Sequence, residues 1–214
     1  MATPNEGFSI AVSIGWSNLV YILFAASLGY FVDYRIFVVM TSWVHYCKYI
    51  HQYYFRGAKG NMTLYKAWQR DVLLFKSVAL SNLAYIYLKP YYDAYQTGTQ
   101  QPDIDYISLI MIVVGYAISI MATQALGIDG TYFGIELGFV KANYNFVQVF
   151  PYNVIPHPMI MGQVFALLGV FKPAHVYTNW PWLIPVHVLL YFTHMTQEIY
   201  DFWKGEPWYK QKAN

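Results

Sequence analysis

The chain has 214 residues, of which 57% are hydrophobic and 11% are charged. The charged share is less than half of the roughly 25% usual for soluble domains, so the composition excludes an ordinary soluble domain and indicates a membrane protein. The formal net charge of +2, spread over scattered basic residues, argues against nucleic acid as a partner.

Apolar runs follow one another along the chain at residues 8–32, 36–55, 71–89, 104–126, 159–171 and 182–203. A helix needs about 20 apolar residues to cross about 30 Å of hydrocarbon, and four of the runs are convincing spans. We therefore predict an all-α, polytopic membrane helix bundle with about four to six membrane segments. The 159–171 run is too short for a full span, which predicts a re-entrant or hairpin element in the C-terminal part.

The second run carries regularly spaced polar residues. Thr41, His45, Lys48 and Gln52 follow one another at spacings of four, three and four, so they share one face of a helix. Because hydrocarbon disfavours polar groups, we expect this face to point into the bundle.

Loop charge predicts an orientation. Arg56, Lys59, Lys66 and Arg70 fill the connection between the second and third runs, whereas residues 90–104 contain acidic residues and no Lys or Arg. The basic connection should face the cytoplasm or the matrix. The chain is thus predicted to be an integral membrane protein, with the endoplasmic reticulum and the mitochondrial inner membrane left open as its location.

Residues 127–138, "GIDGTYFGIELG", place four glycines around Asp129 and Glu136 directly after an apolar run. In one interpretation Gly130, Gly134 and Gly138 form a smooth stripe on a helix for close packing. In the other, the glycines let backbone N–H groups approach an anionic or nucleotide-like ligand, whose hydroxyls bind the carboxylates. The sequence leaves both open.

Residues 149–163, "VFPYNVIPHPMIMGQ", surround His157 with prolines at 151, 156 and 158. Prolines hold the chain extended, so His157 is presented on a rigid, non-helical segment at a membrane boundary. An ionisable group on irregular backbone at this depth favours a ligand site over a turn cap.

The last run has a polar face of its own, formed at spacings of four, three, four and three by His187, Tyr191, His194, Glu198 and Asp201. A polar seam between helices would give the same pattern, but ionisable groups inside a span favour a functional role. The histidines form no familiar metal-ligand motif, so we predict no metal site.

The order "ALGIDGTYFGIELG", then "FPYNVIPHPMIMG", then a last helix with acidic residues near its end resembles the phospholipid N-methyltransferases, relatives of the isoprenylcysteine carboxyl methyltransferases. The likeness is strongest to the plant-type branch and covers residues 105–203. It implies a methyltransferase-like membrane core at 105–203, preceded by N-terminal membrane helices at 1–104 and followed by a polar tail at 204–214.

The resemblance implies transfer of a methyl group from S-adenosylmethionine to the amine of phosphatidylethanolamine or its mono- and dimethyl derivatives. The residues that it implies for donor binding are Gly115, Gly127, Gly130, Tyr132, Gly134, Glu198 and Asp201. Attack requires a neutral amine, and His157 and His194 are the candidate catalytic bases. Lys48 and Lys141 are candidates for the phosphate of the membrane phospholipid that would be the substrate.

A second hypothesis comes from departures from the family pattern. The glycine pair of the preceding span is represented by Gly115 alone, with Val113 at the other position, and the tandem glutamates of animal and fungal members would fall on Phe192 and Thr193. These changes permit a catalytically degenerate relative that serves as a structural, lipid-binding subunit beside other membrane subunits.

Overall fold

The computed structural model describes residues 16–55, 58–135, 137–140, 148–201 and 206–207, and these are almost entirely helical. The helices are α1 (Trp16–Phe31), α2 (Tyr34–Ser42), α3 (Val44–Phe55), α4 (Met62–Thr97), α5 (Tyr106–Leu126), α6 (Ile128–Thr131), α7 (Pro158–Phe171), α8 (Ala174–Asn179) and α9 (Leu183–Ile199). Two short strands, β1 (Tyr200–Asp201) and β2 (Glu206–Pro207), pair antiparallel. The predicted all-α class is confirmed.

Two helices, α4 and α5, are long and apolar enough to cross a membrane, and α1 and α7 are shorter apolar helices. The number of membrane segments and the re-entrant element remain predictions. Two predictions about these runs were wrong. The second run is not one helix, because it is divided at Trp43 into α2 and α3. Helix α4 begins at Met62, so Lys66 and Arg70 lie in a helix and not in a connection. The Asn61 side chain accepts the Leu64 N–H at 3.0 Å, which caps α4 at this earlier start.

The chain forms two compact units, and the domain bounds predicted from the sequence remain a prediction. Unit 1 contains residues 1–85 and 132–141, and unit 2 contains residues 86–131 and 142–214, as far as these are described. Helix α4 contributes its first 24 residues, 62–85, to unit 1 and the remainder to unit 2.

In unit 1, α1 runs parallel to α4, because Asn18 contacts Asp71 and Tyr21 contacts Phe75 one turn further on. Helices α2 and α3 run antiparallel to α4. The buried Asn82 amide of α4 donates to Thr41 Oγ1 at 2.9 Å and to Ser42 Oγ at 3.0 Å. Such bonds satisfy polar groups that water cannot reach.

The predicted inward face of the second run is confirmed for its uncharged members. Thr41, His45 and Gln52 are buried, and Lys48 is partly buried. The helical spacing therefore predicted the correct face across the break at Trp43.

In unit 2, α5 and α7 pack unusually closely through small residues. A Cβ atom added at Gly115 would lie 2.5 Å from the Gly162 carbonyl oxygen, and one added at Gly162 would lie 2.6 Å from the Gly115 oxygen. Ser119 Oγ donates to the Met159 carbonyl, and Ser108 Oγ donates to the Gly169 carbonyl, both at 2.6 Å. The backbones thus approach closely enough for side-chain hydroxyls of one helix to bond carbonyls of the other.

These contacts fix the register of α5 and α7. Ser108 lies opposite Gly169, and Ser119 lies opposite Met159, so the two helices are antiparallel. At the end where α5 begins, the Lys172 ammonium group donates a hydrogen bond to the Asp105 carboxylate and forms an ion pair with it. This hydrogen bond lowers the pKa of Asp105. Helix α9 also contacts α7, and an apolar groove between them is lined by Leu168 and Phe171 of α7 and by residues 184–192 of α9.

We expect Gly162→Ala to destabilise the protein, because the added methyl group would meet the backbone of α5. Overpacking of this kind costs about 1–3 kcal/mol. Val113→Ala is the matched control, since Val113 lies on α5 but is 59% exposed. Melting temperatures in one detergent should fall clearly for Gly162→Ala and little for Val113→Ala. Equal melting temperatures for Gly162→Ala and the wild type would contradict the close packing.

Candidate functional site

The C-terminal end of α5 is a turn that only glycine adopts readily. Gly127 has φ 81° and ψ 157°, and its N–H donates to the Thr123 carbonyl at 2.8 Å. Its own carbonyl accepts the Thr131 N–H at 3.0 Å and the Thr131 hydroxyl at 2.9 Å. Apart from Gly127 itself and its two chain neighbours, no atom of the described residues lies within 4 Å of the place where a Cβ would stand, so these residues leave the space beside this backbone open.

The glycines after Gly127 do not form a stripe on one helix. Helix α6 ends at Thr131, Gly134 lies in the turns that follow, and Gly138 has φ 80°. The three described heavy atoms nearest to a Cβ at Gly130 all belong to the Leu126 side chain, which begins 2.9 Å away in the preceding turn. The packing interpretation requires a continuous helix and a neighbouring helix at Gly130, and neither is present among the described residues.

Tyr132 and Gly134 belong to unit 1, whereas Gly127 and Gly130 belong to unit 2. Tyr132 is buried and stacks on Tyr49 with ring centroids 5.7 Å apart, and its burial raises the pKa of its hydroxyl. The Gly134 carbonyl accepts the N–H groups of residues 139 and 140. A role for either residue in donor binding remains a prediction.

An aromatic cluster holds this segment in unit 1. Phe133 packs against Tyr49 and Trp68, and Phe139 stacks on Tyr65 with ring centroids 4.7 Å apart. Because these rings pack against one another by stacking and edge-to-face contacts, the cluster is a packed core of unit 1.

His157 has a strained backbone at the start of α7. Its φ of 46° and ψ of 52° lie in the left-handed region, and Pro158 follows it as the first residue of the helix. Such a conformation costs on the order of 1–3 kcal/mol and often marks a functional position. The His157 carbonyl accepts the Met161 N–H at 2.9 Å, while the half-buried imidazole makes no capping hydrogen bond. The side chain is therefore not used to cap α7.

The antiparallel register brings His157 and the Gly127 turn to the same end of the α5/α7 pair. Met159 bonds to Ser119, which lies seven residues before Leu126. His157 therefore lies at the level of the last two turns of α5, and Gly127 follows directly after them. Residues that are 30 positions apart in the sequence thus share one end of unit 2.

The C-terminal end of α9 returns to this same end. Helices α7 and α9 are in contact, with only the short α8 between them, and the groove that they share joins the end of α7 to the first half of α9. In such a hairpin the last turns of α9, which carry His194 and Glu198, run back toward the start of α7.

The polar face predicted for the last run is partly realised. His187 is fully buried, and His194 Nδ1 lies 3.5 Å from Gln197 Oε1. Glu198 is in the last turn of α9, but its side chain lies outside the described part of the chain. Asp201 lies in β1, beyond the end of α9, so the helical spacing does not extend to it, and its side chain is likewise outside the description.

Sequence reasoning missed the buried Gln197. A glutamine three residues after His194 would lie beside it on a helix, and this spacing was the signal that could have identified it.

The remaining candidates are placed as follows. Gly115 faces α7, whose backbone fills the space beside it, so Gly115 serves helix packing. Lys48 lies 3.7 Å from Asp71 and above the Phe75 ring. Lys141 and Glu136 lie outside the described residues. Within the described ranges, no three His, Cys, Asp or Glu side chains come together as a metal site.

These features define a helical, membrane-associated protein with glycine and histidine segments gathered at one end of unit 2. Residues 104–201 match the family model for phospholipid methyltransferase. This match confirms, for this part of the chain, the family resemblance recognised from the sequence. Comparison with curated proteins and with solved structures gave no match.

We expect Gly127→Ala to destabilise the protein more than Gly130→Ala. A non-glycine residue at the Gly127 backbone angles costs on the order of 1–3 kcal/mol. At Gly130 the methyl group meets a flexible leucine, and alanine favours the helix by up to about 1 kcal/mol. Melting temperatures of the two variants in the same detergent test this. If Gly130→Ala is the less stable variant, Gly130 packs against more than Leu126.

Proposed function

We propose that the domain transfers a methyl group from S-adenosylmethionine to the amine of phosphatidylethanolamine or its mono- and dimethyl derivatives. The observation that carries the proposal is the meeting of the Gly127 turn and His157 at one end of α5 and α7, within the region that matches the phospholipid methyltransferase family.

The length of α5 supports a lipid headgroup as the substrate. Its 21 residues extend for about 30 Å, which is the thickness of the hydrocarbon core. The end that carries Gly127 would then lie near the headgroups of one leaflet. At the other end, Tyr106, Tyr177 and Trp182 are exposed, as expected for aromatic side chains at a membrane interface.

The residues around Gly127 fit part of the donor. S-adenosylmethionine would supply a methyl group on a positively charged sulfur, and it carries hydroxyl, ammonium and carboxylate groups that need partners. The open space beside Gly127 lets a ligand approach the backbone, and Asp129, in the short helix that follows, is a carboxylate suited to hydroxyl or ammonium groups. Glu198 is a second candidate for the same groups.

The chain's own residues would position the amine and remove its proton. The amine nitrogen forms a bond to the methyl carbon as the carbon–sulfur bond breaks, and the electron pair stays on sulfur. No covalent enzyme intermediate is needed, so alignment of the reactants supplies most of the acceleration. His157, held in one place by its rigid backbone, would accept the proton that the amine loses, and His194 is the alternative base.

We expect the wild-type protein in phosphatidylethanolamine liposomes to transfer labelled methyl groups from S-adenosylmethionine to lipid. His157→Asn should lower this rate by about 10²- to 10⁴-fold, the usual contribution of a general base. Asparagine tolerates the left-handed backbone, so the variant should keep its fold. Labelled lipid measured by chromatography gives the rate, and the melting temperature reports folding.

His51→Asn is the matched control, because His51 is exposed on α3, outside the family-matched region. Full activity of His157→Asn would rule out His157 as the base. A wild-type protein that neither transfers methyl groups nor is thermally stabilised by millimolar S-adenosylhomocysteine would overturn the proposal and favour the structural-subunit hypothesis.

A further inference from the structure

Lys76 is a charged residue on an otherwise apolar face of α4. It is half-buried, and helical spacing places it on the face that also carries Val72, Ala79 and Leu83, all of which are buried. The next 12 residues, 77–88, contain no charged side chain. Lys76 is thus the last cation before the apolar stretch of a helix that is long enough to cross a membrane.

Other cations in this part of unit 1 have protein partners. Arg70 Nη2 lies 2.8 Å from Asp71 Oδ1, and Lys48 Nζ lies 3.7 Å from Asp71 Oδ2. Lys66 Nζ donates to Gln69 Oε1 at 3.1 Å. For Lys76, by contrast, there is no hydrogen bond or ion pair within the part of the chain that the structure describes. Asp71, the nearest carboxylate on α4, already binds Arg70 and Asn18.

An ammonium group without a counter-charge is costly at the edge of hydrocarbon. The uncharged stretch 77–88 measures about 18 Å, less than the roughly 30 Å of the hydrocarbon core, so a bilayer centred on this stretch would place Lys76 inside the hydrocarbon boundary. Its side chain leans toward the N-terminus of α4, and a long lysine side chain extends toward the interface. The anion that a bilayer supplies at that depth is the phosphate of a phospholipid.

We propose that Lys76 binds the phosphate group of a membrane phospholipid against unit 1. The surplus of positive charge supports this, because this part of α3 and α4 carries four cations, Lys48, Lys66, Arg70 and Lys76, but Asp71 is its one described carboxylate. Residue 76 lies outside the family-matched region, so the proposal stands independently of the methyl-transfer reaction.

The full-length protein in detergent is titrated with dioctanoylphosphatidylcholine, and its melting temperature reports binding. Dioctanoylglycerol, which has the same tails and no phosphate, measures the contribution of the tails alone. We expect the phospholipid to bind at least about tenfold more weakly to Lys76→Met than to the wild type, as for loss of a charged hydrogen bond. Lys76→Arg should bind like the wild type, and so should Lys59→Met, which removes an exposed lysine.

Equal affinity of Lys76→Met and the wild type would overturn the proposal. The proposal would also be overturned if inorganic phosphate alone raised the melting temperature as much as the phospholipid does, and if this increase required Lys76. The ligand would then be soluble phosphate. Should Lys76→Met fail to fold, Lys76→Gln, which keeps a polar side chain, takes its place. We expect the phospholipid to bind at least about tenfold more weakly to Lys76→Gln than to the wild type, and equal affinity would overturn the proposal.

Discussion

The close approach of α5 and α7 is the contact on which the arrangement of unit 2 depends. Gly115 and Gly162 lie backbone against backbone, and Ser108 and Ser119 bond across to α7 carbonyls. A membrane provides little hydrophobic drive between helices, so such packing and hydrogen bonding must hold them together. Because the contact fixes one register, it also decides which residues meet at the end of the pair.

The residues at this end of the helix pair have unusual backbone conformations. Gly127 adopts angles that are strained for other residues, and His157 adopts a left-handed conformation that histidine seldom takes. Gly127 lies where α5 ends, and His157 lies where α7 begins. Irregular backbone at membrane depth is tolerated only against protein or a wet cavity, so these turns are suited to contact a polar ligand.

In unit 1, polar side chains on largely apolar helices are paired with one another. Asn82 is satisfied by Thr41 and Ser42, and Asp71 is surrounded by Asn18, Arg70 and Lys48. Each polar group gains a partner that lipid cannot provide. Lys76 differs because none of the described residues forms a hydrogen bond or ion pair with it.

The sequence predicted the features that local patterns determine. Composition predicted a helical membrane protein, and spacing predicted the buried face with Thr41, His45 and Gln52. The sequence analysis failed where charged residues were interpreted as a loop, since Lys66 and Arg70 are helical residues of α4. The spacing of Gly130, Gly134 and Gly138 suggested a helix as one interpretation, but Gly127 ends α5 and turns follow Thr131.

The contact between Gly115 and Gly162 was also not predicted from the sequence. Family resemblance suggested a donor contact for Gly115, while its observed neighbours come from a segment 47 residues later in the chain. Periodicity identifies the face of a helix, but it does not set the register between two helices. That register is a tertiary property, and the position of His157 beside the end of α5 follows from it.

The register of α5 and α7 is therefore the central claim, and distances between spin labels test it most directly. Labels at Ile107, Ile120 and Met161 occupy exposed positions, after the exposed Cys47 has been replaced by serine. In lipid nanodiscs, the 107–161 distance should exceed the 120–161 distance by up to about 10 Å. In the observed register Met161 lies at the level of residue 117, which is about 15 Å along the helix axis from Ile107 and about 5 Å from Ile120. A 107–161 distance equal to or shorter than the 120–161 distance would contradict the antiparallel register.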